Sequence, residues 1–442
     1  MTEGPKNGQL YPRDLITNQA MVAVSGSVTQ AGFSQVHVIV NRDGLLWWSQ
    51  AEPLNYVGGS APFSFQAPIT AGLFDYSMEL VLEGGGSMQV IDVVDNIACG
   101  DAYLINGQSN AVAADYHGEG LGNRFQSPWI RSYGTASTLA AEVTGDQQWH
   151  MADAQLGNDS GTIGAWGLRT AWLLVERYKV PIAMLNGSVG GTPLYQHHRN
   201  MAAPEDLNTI YGRLLYRTRK AGLNQNIRAM LWHQGEASGN VNAHVYTTSY
   251  GELIDEWLLD YPAMEHTFVF QIRKGCGING MGIREAQRRW QDVFPNLTTV
   301  PTAGIDGHDN CHFYYRGYRQ MGEWMAAAMA VLYDEQLPKN AAPPNIKEAR
   351  FTTAAKDEVE LIFRNQEQIL VLDPFIINRL RLRNGGTETI TAASTTRGRI
   401  LLQLSATSSA DAIAYVGNAG SGPWIKNAMG VGAYTFEVPL LP

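Results

Sequence analysis

The sequence predicts an α/β protein: a three-layer α/β/α domain on a parallel sheet, flanked by two small β-sandwich-like domains. Three observations predict it. Residues up to 98 carry short segments in which apolar and polar residues alternate. From 99 to 337, apolar runs of four to seven residues take turns with amphipathic stretches at helical spacing. After 338, alternating segments return. Alternation marks strands with one face on a core, and continuous short apolar runs mark strands covered on both faces. A chain of 442 residues exceeds one ordinary core, so several domains are expected.

In the first segment (1–98), MVAVSGSV, QVHVIVNRDG, FSFQAPI, YSMELVLEGGG and MQVIDVVDN are separated by Gly, Pro and Asn-Asp signals. Short strands at this spacing predict an N-terminal sandwich of immunoglobulin or fibronectin type. Next come AYLIN, IAMLNG, IRAMLWH, TFVFQI and LTTVPT as strands, with helices over 165–179, 206–222, 246–260, 282–293 and 314–334. In the first helix Leu168, Ala171, Trp172, Val175 and Tyr178 recur three or four apart. The Pro-rich PKNAAPPN at 338–345 reads as a linker. Beyond it EVELIFRN, QILVLD, RGRILLQL, DAIAYVGN and AYTFEVPL predict a C-terminal β-rich domain, 338–442.

The formal net charge is −9, with 32 Lys and Arg against 41 Asp and Glu. No excess of cations is available to neutralise phosphates, which argues against a nucleic-acid partner. No apolar stretch is long enough to span a bilayer, so no membrane partner is expected. The N-terminus lacks a charged-then-apolar leader, so either the protein is intracellular or a leader has been removed. Three cysteines, Cys99, Cys276 and Cys311, form neither a metal-type CxxC pair nor a disulfide framework.

Ligands of parallel sheets bind outside the carboxyl ends of the strands. The loops there read NGQSN, NGSVGGT, HQGEAS, RKGCG and GIDGHDNCH. Ser109 is a weak nucleophile that needs a base within hydrogen-bond reach. His312 is the natural base, and Asp309 can hold its imidazole in one tautomer. An oxyanion requires donors already in place. The N–H groups of Ser109 and of Gly190 or Gly191 can approach closely, and the Gln234 amide can add another donor. Other chemistry is open to the same residues. Asp306, His308, Asp309 and His312 could ligate zinc. Cys311 beside His312 could be read as a nucleophile. Cys276 and Cys311 both follow strands at this edge, where a disulfide can join them. Glu236 could form an ion pair with Arg284.

GQSN, GGT, WHQGE and the Asp-x-x-His of DNCH, in this order, resemble the successive blocks of the SGNH (GDSL-like) hydrolase superfamily. They resemble in particular its sialate O-acetylesterase and carbohydrate esterase family 6 branch, over about 99–335. The resemblance implies the flavodoxin-like fold of that superfamily and an acetylesterase activity on carbohydrates such as acetylated polysaccharide or sialic acid. It implies Ser109 as nucleophile, His312 as general base and Asp309 as its orienting acid. It also implies an oxyanion hole of Ser109, Gly190 and Gln234, Gly190 being chosen from its pair. Glu236 is a second candidate to support the histidine, and Arg284 and Gln287 in IREAQ match a further family motif. Gln108, Asn110, His197 and His308 stand as candidate substrate contacts. The resemblance calls for no cofactor and no metal, an acetylated carbohydrate as partner, and an extracellular or periplasmic location with a leader absent from this sequence. Two departures bear on substrate: Ala111 stands where relatives have Met, and PLYQHH follows GGT where they commonly have Trp. A thioesterase or lipase-like esterase and a non-catalytic glycan-binding protein are the alternative readings.

Overall fold

A computed structural model describes residues 1–277, 280–336, 338 and 341–442. Its centre is a mostly parallel sheet built from β1 (Ser87–Gly107), β2 (Ile182–Asn186), β3 (Ile227–His233), β4 (His266–Gln271) and β5 (Leu297–Pro301). The order is β5-β4-β3-β1-β2, extended by Ile130–Tyr133 parallel to β2 and by Trp149–Met151 antiparallel beyond it. Successive side chains point to opposite faces, and both faces are covered. Tyr103, Ile105, Met184, Leu231 and Phe270 pack under α2 (Ala165–Tyr178) and α6 (Tyr315–Ala328). Leu104, Leu185, Met230, Trp232 and Val269 pack under α3 (Ile210–Lys220), α4 (Ala243–Asp260) and α5 (Gly282–Val293). A short helix, α1 (Ser109–Val112), follows β1 directly.

The five apolar runs read from the sequence are these five strands, within a residue or two at each end except at the start of β1. Helix starts differ where a cap sets them. Thr209 accepts the Gly212 N–H and begins α3, while Asn242 accepts the His244 N–H and begins α4. The last helix is α-helical only to Ala328 and tightens to a 3-10 turn over Met329–Tyr333. Strand Ile130–Tyr133 carries Arg131 and so has no apolar run. The buried guanidinium is satisfied by the carbonyls of Gly8, Gln9 and Asn96.

Before the central sheet, Gln19–Val28 pairs with Ala61–Thr70, and Leu45–Pro53, Gln35–Arg42, Tyr76–Gly84 and the first half of β1 form a second layer. Val22, Val24, Val36, Val38, Phe65 and Leu82 share the core between them. The expected boundary at 98/99 falls inside β1, a single 21-residue strand that leaves this layer and enters the central sheet without a linker. At the other end, seven strands run in the order 380–383, 412–415, 436–441, 346–351, 358–363, 399–404, 390–396 over a separate core. Lys339 and Asn340 of the Pro-rich stretch lie outside the described residues.

Candidate active site

β1 ends at Gly107, whose φ is 139°. A Cβ there would stand 2.1 Å from the His233 carbonyl oxygen, so β1 and β3 approach this closely only because the residue is glycine. Gln108 donates its N–H to that carbonyl, and its Oε1 accepts the N–H groups of Gly235 and Ala237. The chain then turns into α1, and half-buried Ser109 is its first residue. Asn110 points inward. Its Nδ2 donates to Glu236 Oε1 and to the Cys311 carbonyl, both at 3.0 Å, and its Oδ1 accepts from the Tyr318 hydroxyl. Gln108 and Asn110 are therefore buried framework, because these polar atoms tie the first loop to the third and the fifth.

Gly190 lies against the serine: a Cβ on it would be 3.6 Å from Ser109 Cβ. The N–H groups of Ser109 and Gly190 donate to no acceptor among the described residues. Two unengaged donors thus belong to neighbouring residues at the serine. Gln234 differs from expectation. It is fully buried, its Nε2 donates to the Thr192 carbonyl (3.2 Å) and Ser238 Oγ (2.9 Å), and its Oε1 accepts from Tyr246. With both amide hydrogens engaged, it braces the glycine loop and presents no free donor to an oxyanion.

His312 is delivered to the same place from the loop after β5. The Cys311 carbonyl accepts from Asn110, beside Ser109, and Cys311 is disulfide-bonded to Cys276 on the loop after β4. Cys99 is free and buried. Tyr116 touches both candidates: its hydroxyl donates to the Ser109 carbonyl at 2.9 Å, and its ring stacks on the His312 ring at 4.2 Å. Burial holds the His312 pKa below the ordinary imidazole value, outweighing Asp309 and Glu236, which pull it upward. The ring is therefore neutral at pH 7 and can accept a proton.

Asp309 is near this ring but not bonded to it. Its Oδ1 accepts the N–H groups of Cys311 and His312 (2.7 Å each), and its Oδ2 lies 3.5 Å from His117 Nε2. No hydrogen bond joins the carboxylate to the His312 imidazole among the described residues. Burial raises the Asp309 pKa, but those two N–H groups and the two histidines more than offset it and hold the group below the usual carboxylate range. Asp309 thus shapes the loop and supplies charge, whereas direct orientation of the imidazole is not seen.

The remaining candidates separate by burial. Glu236 Oε1 accepts from His233 Nε2 and Asn110, while Oε2 is buried without a hydrogen-bond partner. Burial raises its pKa, but His233 and Asn110 prevail and keep it lowered and ionised. Arg284 makes no ion pair with it and donates to the Gly280 and Val416 carbonyls. Gln287 donates to the Gln234 carbonyl and so steadies the third loop. His197 is fully buried between Thr192 and Asn106, its pKa pushed down to about 3 by burial, and it reaches no substrate. His308 is bonded to the Ala419 carbonyl and is held near 4, mainly by burial. Asp306 accepts from Trp424. No group of three or more His, Cys, Asp or Glu among the described residues is arranged to hold a metal ion.

Sequence reasoning missed Tyr116 and His117. Both lie in DYHGEG, where Gly118 and Gly120 have φ of 66° and 65° and signal a tight loop, but nothing in the letters aims that loop at the serine.

A family model described as carbohydrate esterase, sialic acid-specific acetylesterase matches residues 99–331. Among solved structures, the chain is similar to a carbohydrate acetylesterase from Xanthomonas citri: TM-score 0.66, 18% identity, covering 98% of this chain and 97% of that one. It is also similar to a protein from Arabidopsis thaliana (TM-score 0.41, 21% identity, 52% and 98% covered). An acetyl xylan esterase from the rumen bacterium Butyrivibrio proteoclasticus is a third (TM-score 0.30, 7% identity, 71% and 90% covered). Comparison with curated protein sequences gives no match.

Proposed function

This chain belongs to the carbohydrate esterase, sialic acid-specific acetylesterase family, and on that premise we propose that it removes O-acetyl groups from carbohydrates through an acetyl-enzyme on Ser109. It is an esterase, and its substrate class is the acetylated carbohydrate. In the proposed reaction, Ser109 Oγ attacks the ester carbonyl while neutral His312 takes its proton. The tetrahedral oxyanion is received by the Ser109 and Gly190 N–H groups. The imidazolium then protonates the departing sugar oxygen, and water, activated by the same imidazole, hydrolyses the acetyl-enzyme. Asp309 and Glu236, both held ionised, favour the imidazolium electrostatically.

The single observation that supports this reading is Tyr116, whose hydroxyl donates to the Ser109 carbonyl while its ring stacks on His312, from a loop two hundred residues away; no hydrogen bond joins Ser109 Oγ to the imidazole among the described residues. The description of the matching family, an acetylesterase, favours an acetyl group over a long acyl chain. No helix among the described residues is long and apolar enough to cross a membrane. The Cys276–Cys311 disulfide supports an oxidising compartment, outside the cell or in a periplasm.

The test is acetate release from acetylated xylan, pectin and sialic acid, with p-nitrophenyl acetate as a general substrate. Ser109→Ala should lower kcat by at least about 10³-fold at unchanged Tm. Equal turnover by the two proteins would discard the serine mechanism.

A further inference from the structure

The loop 115–120, DYHGEG, touches each of the three residues assigned to the chemistry, yet none of its own side chains has a role in the reaction as written. Asp115 holds the loop closed by accepting the N–H groups of Glu119 and Gly120, at 2.9 and 2.7 Å. Glu119 accepts the N–H of Tyr315 and ties the loop to the start of α6. From this fixed frame two side chains reach into the site. Tyr116 lies flat on His312, with an interplanar angle of 26°, and hydrogen-bonds the Ser109 carbonyl. His117 stacks on Tyr314 at 3.9 Å and turns Nε2 toward Asp309 Oδ2. That nitrogen is buried and has no hydrogen-bond partner, a costly arrangement that asks for a reason.

We propose that Tyr116 and His117 are positioning residues of this esterase: Tyr116 fixes the plane of the His312 imidazole and keeps water off one face, and His117 fixes the outer oxygen of Asp309. The proposal rests on the serine-esterase reading. Its physical content is a division of labour. In a triad of the usual kind, the acid orients the imidazole by a hydrogen bond. Here Asp309 Oδ1 is engaged by backbone N–H groups, and the imidazole is held instead by a stacked phenol. The groups facing His312 are Asp309 on its own loop, Tyr116 and His117 on the loop 115–120, and Glu236 on the third loop. Asp309 and Glu236 raise its basicity, while burial and His117 lower it. Stripping the phenol from the ring admits water and removes part of the largest lowering effect.

Three variants separate these roles. Tyr116→Phe keeps the stack and loses the hydroxyl contact. It should reduce kcat by roughly tenfold at most, the scale of one hydrogen bond, with the acidic limb of the kcat/KM profile in place. Tyr116→Ala loses both. The reacting form is the neutral imidazole, so a rise in its pKa moves the acidic limb to higher pH, toward the ordinary value of about 6.5. His117→Asn should lower kcat with little change in KM and move that limb far less. A histidine-resolved NMR titration of His312 in the Ser109→Ala background, with and without Tyr116→Ala, reads the same shift without any turnover. An unchanged His312 titration and an unchanged limb in Tyr116→Ala would overturn the proposal. Full activity of Ser109→Ala would instead overturn the esterase mechanism, and the NMR shift would still report on the stack.

Discussion

Asp309 shows how sequence spacing can mislead about bonding. Its spacing to His312 suggests a carboxylate on the imidazole, and the structure puts that carboxylate on two backbone N–H groups instead. The distinction can be measured. Asp309→Asn retains an amide oxygen that can accept both N–H groups, so the loop keeps its shape while the charge is lost. We expect folding stability to change by less than about 1 kcal/mol and kcat to fall about 100-fold, or ~2.7 kcal/mol of transition-state stabilisation. Asp309→Ala, which removes both charge and loop acceptor, should cost more on each measure. Equal losses in the two variants would mean that the charge alone matters, and full activity of Asp309→Asn would mean that loop shape alone does. At this scale, residue type and order were enough to nominate Ser109, Gly190 and His312, which the structure places on loops at one edge of the sheet. Gln108, Asn110, Gln234 and His197 were misassigned for one reason: a polar side chain in a loop reads the same whether it faces solvent or a buried carbonyl. Only packing separates the two, and packing put all four inside.

Among the elements, the five central strands were legible because burial on both faces demands uninterrupted apolar runs. Strand Ile130–Tyr133 was not, since its buried arginine is satisfied by carbonyls, which leave no trace in side-chain identity. The loop carrying His312 is an element of its own, and three ties hold it. Asn110 binds the Cys311 carbonyl, Cys276 N–H donates to the Asn310 carbonyl at 2.6 Å, and the disulfide closes the same corner. Replacing both cysteines by serine leaves the two hydrogen bonds and removes the covalent tie. Loss of a native disulfide costs typically about 2–4 kcal/mol, through the unfolded chain as well as the native one. The Cys276→Ser/Cys311→Ser protein should melt at lower temperature, and its kcat should fall more than its KM rises, because the loop bears His312, the proposed base. Mild reduction of the wild type should reproduce the effect and reoxidation should reverse it. A melting shift with kcat intact would assign the disulfide to stability alone.

At the scale of the whole molecule, the segment after 338 looks like an accessory appended by a linker, and its contacts argue otherwise. Arg273 donates to the carbonyls of Asn418 and Gly420, Arg284 to that of Val416, and Arg288 to Asn345 Oδ1 and the Ile346 carbonyl. Gln271, at the end of β4, exchanges two hydrogen bonds with the backbone of Thr435. These arginines and Gln271 are nearly or fully buried. Burial lowers the Arg273 and Arg284 pKa values only to about 10, so both remain charged at neutral pH. None of this was legible beforehand, since most of the acceptors are backbone carbonyls, which any sequence provides. The consequence is that residues 1–337 should not stand alone. Removing 338–442 strips acceptors from three buried guanidiniums and a buried amide. At about 1–3 kcal/mol for each orphaned group, and more for charged ones, the sum is comparable with the whole stability of a typical domain, about 5–15 kcal/mol. A 1–337 protein is therefore expected to be insoluble or to bind hydrophobic dyes without a cooperative melt. The full chain, in contrast, should lose esterase activity and the fluorescence of Trp424 in the C-terminal segment at one common temperature. Trp424 is suited to report this, because it is buried and its Nε1 donates to Asp306 in the loop that leads to His312. A soluble, cooperatively melting and active 1–337 fragment would show that the C-terminal segment is an appendage and that the buried arginines find other acceptors.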